Sequence, residues 1–119
     1  MKYVDGYVLP VPKKNVGAYR SIARKAGKVW RKHGALEYFE CVGEDLNPKC
    51  AGIKFRRTVR AKAGETVVFS FIVFRSRAHR DRVNAKVMKD PQIAAMNPAS
   101  MPFDVKRMVY GGFKALVEA

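Results

Sequence analysis

Five side chains carry most of the chemistry this sequence offers: Trp30, His33, His79, Arg80 and Asn84. An imidazole titrates near neutrality and carries protons, so His33 or His79 is a candidate acid or base. A guanidinium and a carboxamide one helical turn apart, as Arg80 and Asn84 stand, put their donors on one side of a helix. That pair suits a carboxylate, a phenol or a phosphate, and with His79 it would form the polar wall of a pocket. The competing reading is structural. Trp30 then fills core space and His33 meets the last carbonyls of its helix. Arg77 and Arg80 lay their stems on the core, and Asp81 pairs with Arg77.

Asp5 and Glu40 are acids inside predicted strands, and each shares an alternation face with tyrosine: Asp5 with Tyr3 and Tyr7, Glu40 with Tyr38. If that face is a subunit interface, these acids hydrogen-bond across it or pair with Arg107 or Lys114. A catalytic carboxylate is the less favoured role. Two histidines and no compact acid cluster predict no metal site. Cys41 and Cys50 match no common zinc spacing and are too few for a disulfide framework, so a reduced, cytoplasmic setting is expected. No Ser-His-Asp signature, P-loop or G-x-G-x-x-G is present, and no cofactor is expected. Whether the chain is an enzyme stays open.

The elements that must position these residues repeat one grammar: an apolar β-branched run, then a Lys/Arg-rich helix. Tyr3–Val11 leads into Lys13–His33, and Thr66–Phe74 leads into Ser76–Lys89. In the first helix Val16, Tyr19, Ile22, Ala23, Ala26, Val29, Trp30 and His33 share one side, and Gly34 is its stop. A second strand falls at Leu36–Val42. Lys49–Lys62 reads as a basic, partly extended connection. Glu65–Arg75 is a near-continuous apolar strand, the mark of burial on both faces. Asp90-Pro91 ends the second helix. Met96, Met101 and Phe103 pack down the loop that follows. The last strand is Arg107–Val117, where Gly111-Gly112 suggests a bulge or a close backbone approach. The order is β-α-β-β-α-β. The 119 residues thus make one α+β, ferredoxin-like domain over 1–119, an antiparallel sheet with helices on one face. Its strongly apolar central strand cannot be shielded within one subunit, which predicts a homodimer through the open sheet face.

Net charge is +14. Lys13–Lys32 holds eight basic residues and no acid, and Lys49–Lys62 holds six and no acid. Such stripes are commonly solvated helix faces. They also fit non-specific attraction to nucleic acid, through Arg20, Arg24, Lys28, Arg31, Lys54, Arg56, Arg57 and Arg60. No RNP-type motif supports sequence reading. No apolar run approaches the roughly 18 residues of a membrane span, and the N-terminal run, with Asp5 inside it, does not resemble a secretory signal.

The opening Tyr3-Val4-Asp5-Gly6-Tyr7-Val8-Leu9-Pro10-Val11-Pro12 resembles that of the bacterial domain-of-unknown-function family 1428. So do Gly27-Lys28-Val29-Trp30, Gly34-Ala35-Leu36-Glu37-Tyr38, Ser76-Arg77-Ala78-His79-Arg80-Asp81 and Met101-Pro102-Phe103-Asp104. The resemblance spans nearly the whole chain and implies the dimeric α+β-barrel fold, agreeing with the pattern. It brings no activity and no catalytic residues. By fold analogy alone, a cofactor-free monooxygenase-like enzyme is one alternative. The leading expectation is a cavity between helices and sheet that binds a small anionic or aromatic metabolite, lined by Trp30, His33, His79, Arg80 and Asn84.

Overall fold

The computed structural model describes residues 1–119. Strand β1 (Tyr3–Pro12) ends in a short 3-10 turn at Lys13–Asn15 and runs into helix α1 (Val16–Lys32). Strand β2 (Glu37–Val42) returns along the sheet, helical turn α2 (Phe55–Thr58) follows, and strand β3 (Glu65–Phe74) enters the middle. Helix α3 (Arg77–Lys89), helical turn α4 (Pro91–Ala94) and strand β4 (Val109–Lys114) complete the chain. The sheet order is β2-β3-β1-β4, with every neighbouring pair antiparallel. This is the ferredoxin-like plan.

Local chemistry sets the boundaries. Ser76 caps α3 by accepting from the His79 backbone N–H at 3.1 Å. Asp90 caps α4 by accepting from the Gln92 N–H at 3.0 Å, with Pro91 at the first helical position. Gly34, at φ 117°, turns the chain out of α1 through the left-handed region.

The β1–β3 register fixes what faces what. Tyr3, Asp5, Tyr7, Leu9 and Val11 of β1 stand beside Phe74, Ile72, Ser70, Val68 and Thr66 of β3. From Tyr3 to Leu9 this alternating set faces the helices, and two clusters of the core pack there. One gathers Tyr3, Val29, Ile72, Phe74, Val83 and Val87. The other gathers Leu9, Val11, Tyr19, Ala23 and Val68. The opposite face is apolar and, away from α2, largely uncovered: Phe39 is 49% exposed, Phe69 43% and Phe113 62%.

Three expectations need correction. Asp5 and Glu40 lie on the helix-covered face rather than on the open one, because their alternation set carries Leu9, Ile72 and Val68 into the core. The connection before β3 holds a helical turn at Phe55–Thr58, since Phe55 turns back to meet Phe69 edge-on at 6.2 Å. The last strand is shorter than expected, Val109–Lys114. Its glycines serve a close approach: a Cβ on Gly112 would stand 2.6 Å from the Tyr3 hydroxyl.

Candidate functional site

Between α1, the α4 segment and the sheet lies a cavity of about 210 Å³. Its floor follows from register. Glu40 of β2 stands opposite Ser70 of β3, Ser70 opposite Tyr7 of β1, and Tyr7 opposite Tyr110 of β4. One polar row therefore crosses all four strands on the helix side, and Glu40, Ser70 and Tyr7 open into the cavity. Trp30, Ile22, Ile93, Met96, Met101 and Phe103 are among the apolar residues that surround it.

Glu40 is held at both oxygens. Tyr19 donates to one at 2.7 Å and Tyr38 to the other at 2.6 Å. Burial, and then the adjacent Glu40, push both phenols well above their ordinary range, so their protons stay in place as donors. Burial also raises Tyr7, whose ring stacks on Tyr110 at 4.8 Å. The hydroxyls of Tyr3, Tyr19, Tyr38 and Tyr110 all have partners within the chain. Tyr7 is the remaining tyrosine, and its hydroxyl has none.

Behind Trp30 runs a partly buried polar relay. The Trp30 indole N–H donates to Asn84 Oδ1 at 3.0 Å, and Asn84 Nδ2 donates to Asp5 Oδ2 at 3.3 Å. Arg80 Nη1 donates to Asp5 Oδ1 at 3.1 Å and to the Tyr110 hydroxyl at 3.0 Å. The Arg80 guanidinium also lies over the Tyr3 ring, 4.8 Å from its centroid. Its Nε stands 2.9 Å from Asp81 Oδ1 without hydrogen-bond alignment. Asp81 thus sits against Arg80, where pairing with Arg77 was expected. Asp5 is fully buried; burial raises its carboxyl, and the Asn84 hydrogen bond and Arg80 charge pull the other way. This relay fixes the tryptophan ring that walls the cavity.

The five expected site residues divide accordingly. Trp30 lines the cavity, while Asn84 and Arg80 stand behind it in the relay. His33 and His79 stand elsewhere. His33 Nε2 is 2.9 Å from Asp90 Oδ2, which Lys32 also meets at 2.8 Å, so His33 ties the end of α1 to the cap of α4. His79 is buried, accepts from the Arg75 N–H at Nδ1 and packs edge-on against Phe74 at 6.0 Å. Burial, then neighbouring Arg75, Arg82 and Lys86, lower its pKa, so it is a neutral core histidine. Periodicity could not reveal the Glu40–Ser70–Tyr7 row, which exists only through strand pairing.

The cations expected to meet nucleic acid form two groups. Arg20, Arg24, Lys28 and Arg31 run along the exposed side of α1. Lys54, Arg56, Arg57 and Arg60 surround α2, whose Phe55 meets the uncovered face at Phe69, so the sheet stands between the groups. Arg56 is committed to the Glu65 and Lys62 carbonyls, and the Arg60 carbonyl accepts from Arg107 at 2.9 Å.

An antiparallel four-stranded sheet with helices packed on one side and a cavity beneath them defines an α+β, ferredoxin-like domain. The solved structure of an uncharacterized NIPSNAP domain protein from Burkholderia xenovorans shares this fold, with a TM-score of 0.61 over 98% of this chain and 97% of that one, at 13% identity. The chain belongs to the family described as protein of unknown function (DUF1428), which matches residues 2–105. It is 44% identical over 118 residues to the uncharacterized protein YbaA of Escherichia coli K12, covering 99% of both chains. The YbaA of Shigella flexneri is similar to the same extent. No helix is long and apolar enough to cross a membrane.

Proposed function

We propose that this protein is a cytoplasmic homodimer whose subunits each bind a small aromatic metabolite between helices and sheet. The observation that carries the reading is the floor row: a twice-bonded Glu40, the Ser70 hydroxyl and the unpartnered Tyr7 hydroxyl, in an otherwise apolar cavity. Apolar walls with a few convergent polar groups are the usual form of a small-molecule site. A ring fits beside Trp30 and Phe103, and a phenol or amine substituent would reach the floor. An anionic substituent fits that floor poorly, because Glu40 already accepts at both oxygens and would repel it. Binding is the whole of the proposal. The cavity phenols are held protonated by burial, which leaves none of them poised as a base.

The dimer reading rests on the open face. Phe39 and Phe71 stack at 5.1 Å, and Phe55 extends the patch from α2. With Phe69, Val109 and Phe113 this makes a contiguous apolar surface of the kind that seeks a partner.

A thermal-shift screen of small phenols, anilines and aryl carboxylates tests the cavity. Compounds carrying a ring and a hydrogen-bond donor should raise the melting temperature of the wild type. They should fail on Ala26→Phe, which fills the space beneath α1. An absence of stabilising compounds, or equal effects on both proteins, would remove the reading.

A further inference from the structure

The α1 cations do not stand on a flat surface. Arg20, Arg24, Lys28 and Arg31 line a groove of about 670 Å³ between α1 and the edge strand β2. Its volume falls within the roughly 300–1,000 Å³ of small-molecule sites. The floor is apolar, with Val16, Ala23, Val42 and Val68, and Val42 is 57% exposed there. Glu40 is the only acid on the lining, and its oxygens are engaged by Tyr19 and Tyr38. That hydrogen-bonded bridge borders both spaces and divides this groove from the inner cavity.

We propose that the groove binds an amphipathic anion: a carboxylate with an unbranched apolar tail. The head pairs with the guanidinium and ammonium groups of α1, and the tail covers Val42 and Val16 above the buried Ala23 and Val68. Four cations one turn apart along a helix draw an anion from solution, but cations alone do not explain the apolar floor beneath them. A carboxylate head with a hydrocarbon tail matches both. A nucleic-acid backbone matches only the charges, and the sheet interrupts the basic track it would follow. The groove shares Tyr19, Ala23, Tyr38 and Glu40 with the inner cavity, but its cations and Val42 border the groove alone.

Calorimetric titration of the full chain tests it with decanoate, decyltrimethylammonium, acetate and a single-stranded oligonucleotide. Two variants probe the two ends: Arg24→Glu with Lys28→Glu for the head, and Val42→Asp for the tail. All three positions are exposed, so the fold is not at stake. Decanoate should bind the wild type, and each variant should weaken it at least about tenfold. Decyltrimethylammonium and acetate should give no binding. Reversal of Lys54 and Arg57 beyond the sheet, and Ala26→Phe in the inner cavity, should leave decanoate affinity unchanged. No decanoate binding, equal binding of both decyl compounds, or equal loss on reversing Lys54 and Arg57 would overturn the proposal. So would decanoate binding that only Ala26→Phe removes, since the occupied space would then be the inner cavity. Oligonucleotide binding that falls with the α1 reversal, without decanoate binding, would assign the stripe to nucleic acid instead.

Discussion

Asp5 of β1 and Arg80 of α3 lie 75 residues apart in sequence and meet at 3.1 Å, the carboxylate wholly buried and the arginine side chain 14% exposed. Removing Arg80 leaves the buried Asp5 carboxylate with Asn84 alone, and removing Asp5 leaves Arg80 with Tyr110 and the exposed Asp81. Loss of one partner of a buried ion pair typically destabilises by about 3–5 kcal/mol. Asp5→Ala should fall in that range by urea unfolding, and it should also release Asn84 and so the Trp30 ring. The double variant Asp5→Ala, Arg80→Met should recover part of the loss. Full additivity would mean that the pair is not coupled.

Gly27 and Gly17 sit in the same helix and should respond oppositely to alanine. A Cβ at Gly27 would stand 2.8 Å from the Tyr38 ring, whose hydroxyl holds Glu40. Gly27→Ala should destabilise by about 1–3 kcal/mol through overpacking. Nothing lies within 4 Å of a Cβ at Gly17. There alanine should stabilise by about 0.4–1 kcal/mol, because it narrows the unfolded ensemble. Thermal melts of the two variants check both signs.

Glu65 accepts from Arg107 through both oxygens, at 2.8 and 2.7 Å. Those hydrogen bonds hold its carboxyl down to about 2, against 4.5 for the free group. The folded state therefore keeps Glu65 ionised more firmly than the unfolded chain does. Its stabilising contribution is present above 4.5 and is lost as pH falls toward about 2. Urea midpoints measured across that window should decline for the wild type. Glu65→Gln should start lower at neutral pH and show a shallower decline.

The open face gives a test of assembly. Phe39→Asp with Phe69→Asp places two charges on exposed apolar ground, so folding should survive and association should not. Light scattering should find twice the 13.4 kDa chain mass for the wild type and the single mass for the variant. A wild type of single mass would end the dimer reading.

Much of this fold is written in local pattern. The apolar side of α1, the β-branched run of β3, the Ser76 cap and the Asp90-Pro91 stop each act within a turn or two of chain, so spacing exposes them. Arg80 and Asn84 were legible as neighbours on one side of α3, because they stand one turn apart. Their partner Asp5 was visible only as an acid in a strand, since pairing between β1 and α3 depends on how the elements dock. Histidines misled for the same reason: nothing local distinguishes a cap tie such as His33, or a buried acceptor such as His79, from a proton carrier. The polar row over Glu40, Ser70 and Tyr7 needs two registers, and no single stretch of sequence contains a register.

Trp30 is the only tryptophan in the chain and stands in the cavity wall, held by Asn84. Its fluorescence therefore reports the space directly. Titrating a phenol selected by the thermal-shift screen should give a saturable change in Trp30 emission with one site per subunit. Tyr7→Phe, which removes the free phenol hydroxyl from the floor, should weaken that binding without lowering the melting temperature of the unliganded protein. A flat emission titration, or an unchanged affinity in Tyr7→Phe, would contradict the cavity as the binding site.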